Sequence, residues 1–172
     1  MDALSIASRL WRHYSPASLI MLERFCPSSW FEMDMFRLTR ADYCIEYEIK
    51  TSVADYKRDF IGKSSKHSIL ARDGQGPDRF YFVMPKSVAE RVGEVPAYAG
   101  LIVIPDDVGL VITKNAPLRR ANLFATPESM WRQLARSGAY RYNDMLYTLA
   151  EERRREWLER IELEETHVVV GG

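Results

Sequence analysis

Asp34, Glu48 and Lys50 have the types and spacing for hard-cation chemistry. Two carboxylates brought together make an oxygen site. Mg²⁺ asks for near-octahedral oxygen ligands and keeps several waters, so one or two carboxylates suffice. Such an ion polarises a phosphodiester and lowers the pKa of bound water. A lysine beside it can neutralise charge developing on the phosphate or hold the attacking water.

These residues need strands to bring them together. From residue 42 to 51 the chain alternates strictly: Tyr43, Ile45, Tyr47 and Ile49 point one way, and Cys44, Glu46, Glu48 and Lys50 the other. Period two with β-branched and aromatic residues reads as a half-buried strand. Residues 30–38 read as a second strand, with Phe31, Met33 and Met35 alternating against Glu32, Asp34 and Phe36. The short turn at residues 39–41 makes the two an antiparallel hairpin. If the polar faces coincide, Asp34 lies across from Glu46 or Glu48; the sequence does not fix the register. A wet sheet face carrying a cross-strand salt bridge is the plain alternative to a site.

Further elements frame the hairpin. Residues 2–13 carry Leu4, Ile6, Ala7, Leu10 and Trp11 at helical spacing, with Asp2 as N-cap. Ser15-Pro16 is expected to open a second helix, with Leu19, Ile20, Leu22 and Phe25 apolar and Pro27 as its end. A helix is expected over residues 53–70, burying Val53, Tyr56 and Phe60. Ser52, Asp55, Asp59, Lys63 and Lys66 share an adjacent arc. Residues 73–77 are a loop. Residues 79–84, apolar on both faces, read as a central strand. A short helix at 87–91, a buried strand at 99–104 and a pairing strand at 109–113 follow, then a polar connection at 115–122. Thr126-Pro127 starts a helix that pauses at Ser137-Gly138, and a last helix runs over 140–165, supported by the Glu151/Arg155 and Glu156/Arg160 pairs. Val168 to Val170 read as an edge strand or a frayed tail. The order predicts an α/β fold, a mixed sheet with a hairpin core flanked by helices.

At 172 residues the chain is long enough for one domain with a proper core, expected as a main core over about 16–114 and a helical extension over about 126–165. Lys plus Arg equals Asp plus Glu, 24 each, so net charge argues neither for nor against nucleic acid. Cys26 and Cys44, both read as small buried hydrophobes, cannot staple a secreted scaffold. No apolar run reaches membrane-spanning length and residues 1–13 lack a signal-peptide pattern, so a cytoplasmic protein away from membranes is expected.

The hairpin resembles the PD-(D/E)xK (restriction-endonuclease-like) nuclease superfamily: an acid, then 14 residues later Glu48-Ile49-Lys50, then a helix. Within it, the run Glu48-Ile49-Lys50-Thr51-Ser52-Val53-Ala54-Asp55-Tyr56, followed by Asp59, Lys63 and Lys66-His67, is similar to small bacterial DNA-repair and bacteriophage proteins. The strand around Phe80 to Met84 and the stretch Pro96 to Ile102 share that likeness, which covers about residues 30–104. Asp34 follows Met33, where the superfamily's name has proline. The resemblance implies a nuclease acting on DNA with Mg²⁺ or Mn²⁺. Asp34, Glu48 and the Ile49 carbonyl would hold the ion, and Lys50 would assist the water or transition state. Ser52, Lys63, Lys66 and His67 would be nucleic-acid contacts.

Rivals stay open. Glu32 and Asp42 compete with Asp34, and Glu23 could add an acid or be a surface glutamate. Asp55 could serve the site or the helix start. Lys63, Lys66 and His67 are explained nearly as well by solvation, and His67 lacks a second His at ligand spacing. From another class, a non-catalytic nucleic-acid- or partner-binding protein would keep the same fold. A homodimer is left open.

Overall fold

The computed structural model describes residues 1–61, 65–72, 75–107, 109–119, 121–124 and 126–169. The chain divides into two compact units, Met1–Ala125 and Thr126–Gly172.

The first unit is α/β. Helix α1 (Ala3–Tyr14) is capped as its sequence dictates: Asp2 Oδ1 accepts from the Ser5 amide at 2.7 Å. A 3₁₀ turn (Ser15–Ala17) follows, then β1 (Ser18–Phe25), β2 (Met33–Thr39) and β3 (Cys44–Ile49). Helices α2 (Val53–Arg58) and α3 (Ser65–Leu70) lead to β4 (Arg79–Pro85), α4 (Lys86–Val92), β5 (Ala99–Ile104) and β6 (Val111–Lys114). The six strands lie in chain order across one sheet. β1 to β3 are antiparallel neighbours, β3–β4 and β4–β5 are parallel, and β6 returns antiparallel on β5. The mixed sheet flanked by helices is the expected architecture.

Its two faces are separate cores. Ile6 and Leu10 of α1 pack on Met35, Tyr47, Val83 and Ile102. The other face sets Phe80, Phe82 and Met84 against Tyr56, Leu70 and Val88. Each fully buried side chain of this size contributes on the order of 1.5–3 kcal/mol.

Two expected elements are corrected. Residues 18–25 form a strand rather than a helix. Leu19 to Leu22 is a continuous apolar run that fits either period. Pairing along β2 decides it, from Ser18↔Thr39 to Phe25↔Met33, because β2 would otherwise present a bare edge. The helix expected over 53–70 is two. α2 closes in tight turns, with the amides of Asp59, Phe60 and Ile61 bonding three residues back, and the chain restarts at α3. Tyr56 is buried as expected, whereas Phe60 is 41% exposed, with its ring against Tyr56, His67 and Phe82. Cys44 is buried but Cys26 is exposed, which corrects its reading as a buried hydrophobe. Arg119, in the connection read as polar, is buried and donates to the Pro77, Arg72 and Gln75 carbonyls.

The second unit is α5 (Pro127–Val169), one helix of 43 residues. Thr126 caps it: its Oγ1 accepts from the Ser129 amide at 3.1 Å, and its own amide donates back to Ser129 Oγ at 3.2 Å. The helix runs through Ser137-Gly138, where a pause was expected. A single glycine costs a helix only about 1 kcal/mol, too little to break one this long. It also takes in Val168 and Val169, so those two are not an edge strand. Val170 lies outside the described residues.

Candidate active site

The register settles what alternation left open. Phe36 lies across from Glu46 and Met35 from Tyr47. One step further places Asp34 opposite Glu48, on its side of the sheet. The ladder ends at the Met35–Tyr47 pair, and Asp34 Oδ2 takes the next free amide, that of Ile49, at 2.7 Å. Among the described residues nothing donates to Asp34 Oδ1. Burial, and then the Glu48 charge, raise the Asp34 carboxyl above its ordinary value.

Parallel pairing on β4 sets Phe80 beside Glu46 and Phe82 beside Glu48. The polar row of β3 therefore sits under a helix layer, not in water. Glu46 is completely buried. Its Oε2 accepts from the Trp30 indole at 2.9 Å, and its Oε1 faces the Lys66 ammonium. Lys66 also reaches Glu48 Oε2 at 2.6 Å. Glu48 Oε1 accepts from Lys50 at 2.9 Å, and Lys50 lies 2.8 Å from both oxygens of Asp59. Asp59 Oδ2 stands 3.4 Å from His67 Nε2, and His67 Nδ1 stands 2.8 Å from the Tyr98 hydroxyl.

Three carboxylates thus share two ammonium groups. Burial pushes the Glu46 carboxyl up to about 7 even with Lys66 beside it. For Lys50, burial works against the charge, but Glu48 and Asp59 outweigh it and hold the ammonium above its ordinary value. Lys66 is raised in the same way, Glu46 and Glu48 overcoming burial.

Beside this row a cleft of about 310 Å³ opens at the ends of β2 and β3. Its walls include Glu23, Glu32, Asp34, Ile49, Thr51 and Asp55. Glu48 and Lys50 stand behind the wall, with side chains 14% and 6% exposed. Among the described residues no group of three or more His, Cys, Asp or Glu side chains is arranged to hold a metal ion. Asp34, Glu48 and the Ile49 carbonyl supply the oxygen chemistry that a hard dication keeping most of its waters takes, and among the described residues one Asp34 oxygen has no donor. Glu48 would exchange one lysine contact for the ion.

The structure brings Asp34, Glu48 and Lys50 together. Ser52 is exposed and caps α2, accepting from the Asp55 amide at 3.1 Å. Lys66 and His67, read as phosphate contacts or as solvated, instead belong to the network, His67 buried and Lys66 half-buried. Lys63 lies outside the described residues. Glu23 lies on β1, not on a helix, and lines the cleft; Glu32 is exposed and 3.7 Å from Arg24. Asp42 sits in the hairpin turn at φ 60. Glu46, the other residue that alternation allowed opposite Asp34, lies across from Phe36 instead. Trp30 and Tyr98 carried no local signal.

The Trp30 contact depends on Gly76. Gly76 has φ +102, and a Cβ there would lie 2.6 Å from the indole. Gly76→Ala is expected to lower stability by about 1–3 kcal/mol, from strain at positive φ plus overpacking. Urea denaturation measures it, and an unchanged midpoint would show that the loop gives way freely.

No family model and no curated protein matches the chain. A solved structure does: the SPO1766 protein of unknown function from Silicibacter pomeroyi, with a TM-score of 0.62 at 20% identity, covering 81% of this chain and 88% of that one. At that identity the likeness shows the α/β fold alone. Among the described residues no helix is long and apolar enough to cross a membrane.

Proposed function

We propose that the chain is a metal-dependent nuclease of the PD-(D/E)xK type that hydrolyses phosphodiester bonds of DNA, in repair or phage DNA metabolism in the cytoplasm. The observation that carries this reading is the meeting of Asp34, Glu48 and Lys50 at the end of β3, beside an acidic cleft. Asp34, Glu48 and the Ile49 carbonyl would hold Mg²⁺ or Mn²⁺, which when bound supplies an activated water and a polarised phosphate. Lys50 is kept charged by Glu48 and Asp59. It therefore serves as a fixed cation against charge growing on the phosphate and not as a base.

The test pairs Mn²⁺ calorimetry with nicking of supercoiled plasmid. Wild type should bind Mn²⁺ and nick DNA. Asp34→Ala and Glu48→Ala should each lose both, because a ligand is gone. Wild type that neither binds Mn²⁺ nor cuts single-stranded, nicked or branched DNA would remove the proposal. A second reading, a nucleic-acid- or partner-binding protein that retains the fold, has one observation in its favour. Both Glu48 oxygens are already neutralised by lysines. On that reading plasmid binding would persist without metal or cleavage.

A further inference from the structure

Asp59, His67 and Tyr98 are buried or half-buried polar groups that the proposed chemistry does not use. They come from the end of α2, from α3 and from the segment before β5. Their side chains nevertheless form one chain of contacts, Tyr98 to His67 to Asp59, that ends on Lys50 Nζ. Asp59 turns back to place both oxygens 2.8 Å from it. His67 stands behind Asp59 in an aromatic slot, its ring stacked at 4.8 Å on Phe60 and 5.7 Å on Phe82 and edge-on to Phe80 at 5.9 Å. That packing leaves the ring little freedom to rotate.

The chemistry of the two ring nitrogens then follows. An ionised carboxylate only accepts, so the nitrogen facing Asp59, Nε2, carries the hydrogen. A ring whose single hydrogen is on Nε2 keeps a lone pair on Nδ1, where the Tyr98 hydroxyl stands 2.8 Å away, in place to donate. Burial raises the Tyr98 hydroxyl, which keeps its proton for this role. His67 and Lys50 in turn hold the Asp59 carboxyl below its ordinary value, outweighing its burial.

We propose that Tyr98, His67 and Asp59 form a positioning relay that fixes the direction of the Lys50 ammonium, a role that rests on the reading of Lys50 as the cation facing the phosphate. Glu48 alone cannot do this. It lies two residues before Lys50 and also holds Lys66, so it tethers Lys50 from one side only. Asp59 supplies the second side, and Tyr98 through His67 fixes Asp59.

The first measurement needs no activity. In the full chain with ¹⁵N-labelled lysine, the Lys50 ammonium signal is the one that Lys50→Arg removes. Its protons should exchange slowly with water. Asp59→Asn should speed that exchange about tenfold or more, the loss of a charge-assisted hydrogen bond. Tyr98→Phe should speed it less and move the His67 ring-nitrogen shifts. Unchanged Lys50 exchange in Asp59→Asn, with the backbone spectrum otherwise intact, overturns the relay. So does a wild-type His67 with its hydrogen on Nδ1. If Asp59→Asn does not fold, Tyr98→Phe decides, and unaltered His67 shifts there are equally fatal.

The second measurement is plasmid nicking with Mn²⁺. Asp59→Asn and Tyr98→Phe should lower kcat with KM unchanged, and should add nothing in a Lys50→Ala background. Equal losses in both backgrounds would mean a structural role and overturn the relay. A wild type that cuts no DNA removes the nuclease reading, while the ammonium measurement still decides whether the relay exists.

Discussion

Lys66→Met is expected to destabilise the protein by about 3–5 kcal/mol near pH 8, the cost of stranding one partner of a buried ion pair. Glu46 is completely buried, and among the described residues its contacts are Lys66 and the Trp30 N–H. Methionine fills the lysine stem's volume and removes only the charge. The loss should shrink toward pH 5, where Glu46 can take a proton instead. Wild type carries a weaker form of the same dependence. The Glu46 carboxyl sits at about 7 against an ordinary 4.5. A group raised on folding contributes its stability fully below its ordinary value and loses it as pH rises through the folded one. At roughly 1.36 kcal/mol per unit that amounts to about 3 kcal/mol between pH 4.5 and 7. Glu46→Gln should flatten this slope and recover part of the Lys66→Met loss in the double variant. Urea unfolding across that pH range measures all of it; a Lys66→Met penalty under 1 kcal/mol at pH 8 would mean that water already reaches Glu46.

On the proposed nuclease function, Lys50→Ala is expected to separate metal binding from catalysis. The ammonium is no ligand, so Mn²⁺ affinity should stay near the wild-type value. Turnover should fall on the order of 10²–10³-fold, the usual loss when one preorganised charge stabiliser is removed. Lys50 is placed to act this way because its stem is buried and its charge is held by two carboxylates. Calorimetry and single-turnover nicking on the same preparations supply the comparison. Wild-type nicking in Lys50→Ala would deny the lysine its role, or expose a contaminating host nuclease.

Local patterns carried the hairpin well. The alternation in β3 assigned Glu46, Glu48 and Lys50 to one side, and that row is where the network formed. Cap chemistry located the starts of α1 and α5, through Asp2 and Thr126. Uninterrupted apolar runs marked β4 and β5 as interior strands. Three failures share a cause, for each was decided by contacts outside the local pattern. Residues 18–25 became a strand because β2 needed an edge neighbour. Lys66 and His67 look like surface residues until Glu46, Asp59 and Tyr98 are seen around them. The helix over 53–70 divided near Asp59, the residue whose carboxylate turns back to Lys50. No period along the chain encodes that pull.

Strand order that follows chain order has a kinetic meaning. Most pairings close a short loop: β2 meets β3 across the hairpin turn, and β5 meets β6 after residues 105–110. The entropy of closing a loop grows with its length, and late, long closures slow folding. β3 and β4 are the longest wait among neighbours, separated by residues 50–78. Until Phe80 and Phe82 arrive, Glu46 and Glu48 keep their water. The site's charges are therefore dehydrated in the same step that closes the longest loop. A chain that has paired only its first three strands has laid out the site's acidic row but has not yet sealed it.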